Sequence, residues 1–484
     1  MNILIKNSSI KYMLCYLILL LTNSILMWNF NLSNKDNYVN ILILSWYINF
    51  IVVISGWIMY KTLGNSIGLQ HIVILICFLF NFGQTFLWSL GVHSDNEIGT
   101  TKLFSNYRIP TNKDIYNALV FSEYCFVLLI FGMIVFSGFT IKRKSKNGED
   151  NANIFFDVLY RVSVILGWVV IPLTFVRVFI TLFFSAFNGY SALYYSSFQI
   201  PAILDFAEKL FFPVVVGILV GSRYKKIRVA YVIFALFVIL YSLSGERGNW
   251  IYDLLVLIWM HHKYYKKINF MKILKLSIVA FVSLYIVAAI VDLRQYGLMN
   301  ITFNELLETF NVGNSPIIRF LMEMGQSLGV TIMVLGYGRD VFPFTNSFGY
   351  SILGSVSTEL ARLIGIPVVY LSNYFSQDVL KITYGTGFNF FAETYINGSV
   401  IYMFIWGAFI QLILSNYKNQ NSEFRKYVGC IVTPIICSCF RGESLAVFKN
   451  IVQIGILYPL ILFGIFKLVM KKKSLITSKK NLKT

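Results

Sequence analysis

The chain has 484 residues, 57% of them hydrophobic and only 13% charged, and its mean hydropathy is +0.67. Soluble domains carry about 25% charged residues, so this composition excludes a soluble enzyme and indicates a polytopic membrane protein. A net charge of +19 would suit nucleic acid, but the Lys and Arg residues fall in short clusters between apolar runs, as topology signals do, and no nucleic-acid partner is expected.

Apolar windows of roughly 17–25 residues, enough to cross about 30 Å of hydrocarbon, predict an all-α protein of about twelve transmembrane helices. They lie near 12–30, 39–60, 66–90, 116–139, 155–182, 204–222, 229–244, 249–262, 273–292, 394–415, 428–445 and 450–470. The windows at 229–244 and 249–262 are short, so a tilted, broken or partly re-entrant helix is expected there. The first run exceeds the roughly 7–15-residue core of a signal peptide, and Met27-Trp28-Asn29-Phe30 offers no small-residue cleavage site, so it reads as an anchor. Cys15, Cys77, Cys125, Cys430, Cys437 and Cys439 fall inside the predicted spans, where they behave as small apolar residues. Neither a disulfide framework nor a metal site is expected.

With this count every basic cluster faces one side. The clusters are Lys142-Arg143-Lys144-Ser145-Lys146, Arg223 to Arg228, Lys263 to Lys275, Lys418 to Lys426 and Lys467 to Lys483, joined by Lys6 and Lys11. Both termini are therefore expected in the cytoplasm. The expected organisation is nine transmembrane helices over 1–292, a large extracytoplasmic loop over 293–393, three more helices over 394–470 and a basic cytoplasmic tail over 471–484. Chemistry on the outer face cannot draw on cytosolic nucleotides, so a donor there must arrive already activated, on a lipid carrier.

Several groups of residues carry candidate chemistry, taken in chain order. Arg177 and the group Asp205, Glu208 and Lys209 sit in predicted spans toward the outer face, with Arg161 and Asp253 as further intramembrane charges. Tyr190, Tyr194, Tyr195 and Phe198 offer aromatic faces to sugar rings or form an interfacial belt. Gly245-Glu246-Arg247-Gly248 and Arg441-Gly442-Glu443-Ser444 end spans on the outer side. In each, glycine lets the backbone come close to a ligand while the guanidinium forks onto phosphate oxygens; otherwise these are helix-ending turns whose Arg reaches toward lipid headgroups.

Arg294, Arg319, Arg339 and Arg362 lie in the large loop beside Glu323 and Glu359. Pro316 to Gln326 reads as a helix with Pro at its first turn, and Arg319 and Glu323, four apart, share a face. Gly349 to Ile364 reads as a second amphipathic segment carrying Ser355, Glu359 and Arg362, either part of a site or an exposed ion pair worth about 0.3–0.5 kcal/mol. Tyr384 to Gly398 then leads into the tenth span. Glu393, near the start of that helix, marks function or a cap, and the helix N-terminus is expected to lower its pKa.

The ordered set of Gly245-Glu246-Arg247-Gly248 closing a span, Arg319 with Glu323-Met324-Gly325, and Gly385-Thr386-Gly387-Phe388-Asn389 leading to Glu393, Tyr395 and Gly398 resembles the Wzy-type polymerases of O-antigen and related bacterial surface polysaccharides. In topology the resemblance extends over most of the chain. It implies a metal-independent, GT-C-like polymerase or ligase architecture in the bacterial plasma membrane, needing no cofactor. The implied donor and acceptor are undecaprenyl-diphosphate-linked oligosaccharides, with a separate chain-length regulator as a further partner beside the lipid bilayer.

Such transfer needs cations on the departing diphosphate and a base for the acceptor hydroxyl. Arg247, Arg319 and Arg441 suit the first role, with Arg177 and Arg294 as further candidates. Glu323 is the candidate base and Glu393 the second. Glu246, Asn389, Tyr395 and Tyr194 are the candidates for holding acceptor sugars. An O-antigen ligase is the nearest alternative, but ligases are associated with a loop histidine, and His71, His93, His261 and His262 all lie outside 293–387. A lipid-linked oligosaccharide flippase is the alternative from another class; matched halves with short loops would be expected of it, and no internal repeat is visible.

Overall fold

The computed structural model describes residues 2–5, 7–32, 35–92, 109–137, 139–142, 148–188, 200–244, 250–269, 316–382, 387–415 and 423–481, with isolated positions between 271 and 304. Arg294, Tyr194 and the whole Gly245–Gly248 motif, with Glu246 and Arg247, lie outside the described residues.

Helices dominate, as the apolar runs require: in hydrocarbon each backbone N–H and C=O must find its partner within the segment. In chain order they are α1 (Asn7–Leu32), α2 (Tyr38–Thr62), α3 (Leu69–Ser89), α4 (Asn112–Ser137), α5 (Gly148–Asn188), α6 (Ala202–Gly221), α7 (Ile227–Leu243) and α8 (Trp250–Met260). After the large gap come α9 (Pro316–Gly325), α10 (Ser327–Val341), α11 (Ser347–Gly354), α12 (Thr358–Leu363), α13 (Phe390–Ile396), α14 (Ile401–Ser415), α15 (Glu423–Cys437), α16 (Ser444–Asn450) and α17 (Tyr458–Asn481). One short ladder accompanies them: β1 (Asn2–Ile5) pairs antiparallel with β2 (Phe139–Lys142), Asn2 opposite Lys142.

Among the described residues seven helices are long and apolar enough to cross a membrane: Ile10–Asn29, Tyr38–Thr62, Leu69–Ser89, Asn112–Ser137, Ala152–Asn188, Phe320–Val341 and Ser444–Lys471. Six coincide with predicted spans. The seventh, Phe320–Val341, is the least apolar of them and lies within the segment expected to form the outer loop; it is α9 and α10 in succession, with Gly338 outside helical geometry at φ 70°. The predicted span at 204–222 is α6, whose first turns carry Asp205, Glu208 and Lys209. α7 and α14 are shorter apolar helices, and α8 ends in a single π-helical turn, His261–Tyr265. The predicted span at 273–292 lies almost wholly outside the described residues.

Two expected continuous segments are broken. Gly349 to Ile364 is split into α11, which ends at Gly354, and α12, which Ser357 caps, its Oγ accepting from Leu360 N at 3.2 Å. The helix leading into the tenth span stops at Ile396, where Gly398 turns the chain with φ +84°, a conformation that favours glycine.

The chain packs as two compact units. The first holds residues 1–143, 313–415 and 435–449. Its helices meet at glycines: a Cβ at Gly132 of α4 would lie 2.2 Å from Phe404 O, and one at Gly407 of α14 2.0 Å from Leu129 O, the close backbone approach that small residues allow within membranes. α3 and α9 meet the same way, since a Cβ on Gly83 would stand 2.8 Å from Leu321 O and one on Gly325 2.3 Å from Gln84 N. A satellite core of Val334, Phe342, Phe375, Phe388, Ala392 and Ile396 ties α10, the turns at 371–379 and α13 together. The second unit holds 144–312, 416–434 and 450–484; in it α5 packs along α6, and Tyr427 Oη donates to Pro213 O at 2.8 Å.

Candidate active site

α13 is fixed at its first residue. Asn389 caps it, Oδ1 accepting from Ala392 N at 2.7 Å, while its amide donates to Ser327 O at 2.5 Å and lies 3.0 Å from Thr331 Oγ1, both on α10. Fully buried, Asn389 holds the helix that carries Glu393.

Glu393, one turn further on, is only 1% exposed. Ser347 Oγ donates to its Oε1 at 2.8 Å, Ser444 N donates to Oε2 at 2.7 Å, and the Ser444 hydroxyl donates to Oε1. The Ser444 and Ser351 hydroxyls are 2.6 Å apart, and Asn397 Nδ2 reaches Ser347 Oγ at 2.7 Å, so the carboxyl is the hub of a network drawn from α11, α13 and the start of α16. Burial pushes its pKa up to about 7; the donors from Ser444 and Ser347 pull it down, and the Glu443 charge adds to the rise. The expected lowering by the helix N-terminus is thus overturned. A dipole acting from one turn away does not offset the removal of a carboxylate from water.

Glu443 is the second buried carboxyl, 5% exposed. It accepts from the Leu371 and Ser372 amides, the latter at 3.3 Å, and from Ser372 Oγ at 2.7 Å, and burial raises its pKa as well. The Arg441-Gly442-Glu443-Ser444 turn is therefore clamped by both carboxyls: Glu443 reaches out to the turn at 371–379, and Ser444 receives Glu393.

Arg441 itself is exposed, its guanidinium 5.9 Å from the centre of the Phe80 ring on α3. One turn along α3, Gly83 and Gln84 receive α9. Arg441 and the helix bearing Arg319 and Glu323 therefore pack against the same stretch of α3. Residues 316–325 form the helix that Pro316 predicts, placing Arg319 and Glu323 one turn apart. Glu323 is partly exposed, and the side chain of Arg319 lies outside what the structure describes.

Tyr395 and Arg339 form a neighbouring pair. The Arg339 guanidinium is stacked between Phe344 and Tyr395, 3.6 and 3.8 Å from their ring centres, and Nη2 donates to Tyr395 O at 2.6 Å. Tyr395 also meets Phe121 edge-on, 5.8 Å between centroids. Arg339 was visible in the sequence only as a loop cation. The serines Ser347 and Ser444 were not singled out as partners of Glu393, nor Ser351 as the partner of Ser444, because single serines leave no pattern. Buried Glu123 on α4, receiving Asn23 Nδ2 at 3.2 Å, was also missed; it lies amid an apolar run where a single acid is easily passed over. Glu359 and Arg362 make separate contacts, Glu359 with the Ser357 and Thr358 hydroxyls and Arg362 with Val368 O.

Arg177 belongs to the other unit. Its Nε contacts Asp205 Oδ1 at 3.0 Å and Glu208 Oε2 at 2.6 Å, with the Arg177 side chain 10% exposed. Two carboxylates, three apart on one face of α6, thus compensate its charge.

A family model described as O-antigen polysaccharide polymerase Wzy matches residues 12–473, nearly the whole chain. No curated protein and no solved structure matches it.

Proposed function

The chain belongs to the O-antigen polysaccharide polymerase Wzy family, and from that premise we propose that it joins lipid-diphosphate-linked oligosaccharide repeat units on the outer face of the plasma membrane. In this reaction a hydroxyl on the acceptor repeat attacks the anomeric carbon of the growing chain. The new C–O bond forms as the bond to the donor diphosphate breaks; the electron pair leaves on the diphosphate, and the acceptor proton passes to a base.

We assign the base to Glu323 rather than Glu393. Glu323 is partly exposed on a helix packed against α3, whereas Glu393 is buried and engaged by Ser347 and Ser444. Glu393 is a positioning residue: it holds Ser444, three residues from Arg441, and so fixes the turn that presents the guanidinium. Arg441 stabilises the departing diphosphate through its planar fork, and Arg319, carried on α9, is the second cation for that role. The observation that carries this reading is the clamping of the Arg441–Ser444 turn by two buried carboxyls, above the part of α3 that also receives the Arg319–Glu323 helix. Arg247, Arg294, Glu246 and Tyr194 keep their expected roles in this proposal as ligands of diphosphate and acceptor sugars.

The orientation rests on the basic clusters. Twelve crossings, with α9 and α10 packed into the protein without crossing, keep every cluster cytoplasmic; counting Phe320–Val341 as a crossing would put Lys418–Lys426 and the tail on the opposite side from Arg223–Arg228. Gel profiles of surface polysaccharide test the whole reading, using a strain lacking the gene and complemented with wild type or Glu323→Gln. Wild type should restore a ladder and Glu323→Gln only a single repeat unit. Loss of even the single repeat in the deletion strain would place the chain at the flippase or ligase step instead, and a full ladder with Glu323→Gln would remove it as the base.

A further inference from the structure

Helices α11 and α12, joined at Ser355–Ser357, cannot cross a bilayer: at 8 and 6 residues they are about 12 and 9 Å long against about 30 Å of hydrocarbon. Yet Ile352, Leu353, Val356, Leu360, Leu363 and Ile364 are each more than half exposed. A water-facing surface rarely leaves so many large apolar side chains uncovered within one short segment. The buried side of the elbow is fully engaged, with Ala361 packed against Val368 and Leu445, and Gly354 so close to Val368 and Leu445 that a Cβ would meet them at 3.0 and 3.2 Å.

We propose that this elbow is an in-plane docking surface for phospholipid, seated at the boundary between headgroups and acyl chains. Its depth follows from its anchor. Ser351 on the buried side bonds Ser444, the first residue of the candidate span Ser444–Lys471, and Leu445 follows directly. The elbow is therefore fastened at the first residue of a segment long and apolar enough to cross a membrane, and this sets it at the bilayer boundary. Between 347 and 366 the only charged residues are Glu359 and Arg362, of opposite sign, so attachment comes from burial of apolar surface and not from attraction to anionic lipid. The inference needs only that the chain lies in a membrane and is independent of which residue is catalytic. It also joins lipid contact to the candidate site, since Ser351 and Ser347 on the elbow's inner side reach the Ser444–Glu393 network.

Full-length protein carrying Cys15→Ser and either Leu363→Cys or Leu353→Cys, labelled with an environment-sensitive fluorophore and held one copy per phosphatidylcholine nanodisc, tests this; the five remaining native thiols are buried. Lipids carrying a shallow nitroxide should quench both labels several-fold more than they quench a label at Lys113→Cys, an exposed residue at the start of α4. Aqueous iodide should show the reverse order, and exchange of phosphatidylcholine for phosphatidylglycerol should change neither. Iodide quenching without nitroxide quenching at both positions would overturn the proposal by placing the face in water. Protection from both quenchers would overturn it by placing the face against protein.

Discussion

Glu393 accepts hydrogen bonds from both the backbone amide and the hydroxyl of Ser444, a residue 51 positions further along the chain. A carboxyl at the start of one helix thereby determines the geometry of a turn at the start of another, and Arg441 is carried on that turn.

The carboxyl's pKa makes this contact sensitive to pH. Because the folded-state value, about 7, lies above the usual 4.5, the folded state holds the proton more tightly than the unfolded chain, so the stability this carboxyl contributes is fully present below about pH 4.5 and is lost as pH rises through about 7. The loss is on the order of 3 kcal/mol. Melting of the purified protein across this window should show a steeper fall for wild type than for Glu393→Gln, in which the buried Glu443 still contributes; identical slopes would mean the Glu393 carboxyl is not buried as described.

Arg441 is exposed, so Arg441→Ala should leave the amount and melting temperature of membrane protein unchanged. Polymer formation should fall by about 100-fold or more, the scale on which a preorganised donor acts on developing charge. Arg441→Lys should recover little, because an ammonium lacks the planar fork. Assaying lipid-linked product with both variants tests this, and full activity with Lys would count against bidentate diphosphate binding.

Gly325→Ala places a Cβ 2.3 Å from the backbone nitrogen of Gln84. α9 must move off α3, which should cost about 1–3 kcal/mol and displace Glu323, reducing both melting temperature and polymer length. Gly464→Ala, where no atom lies within 4 Å of the added Cβ, is the matched control and should change neither.

Removing Arg177 leaves the Asp205 and Glu208 carboxylates without their shared cation. Arg177→Met should therefore destabilise by about 3–5 kcal/mol, with Glu208→Gln in the same chain restoring part of the loss. Membrane yield and melting temperature read this directly. Normal yield with polymer alone abolished would instead mark Arg177 as a ligand of the substrate.

The sequence by itself determined the membrane class, the position of most helices, the Pro316 start of α9 and the Arg441–Ser444 turn as the end of a helix. These follow from apolar run length, from proline at a first turn and from glycine beside charge, all of which act within a few residues. Family membership was legible too, because ordered motifs keep their sequence spacing. Only the tertiary structure decided what Glu393 does. Its local setting, a helix N-terminus, pointed to a lowered pKa, but residues from 347 to 444 converge to exclude water, and desolvation of a buried carboxylate exceeds the influence of one helix end. The same holds for Arg339, stacked between two rings 51 residues apart, and for Arg177, compensated from another helix. Charge type is written in the sequence; whether a charge is paired, buried or free to meet a ligand depends on chain segments that only folding brings together.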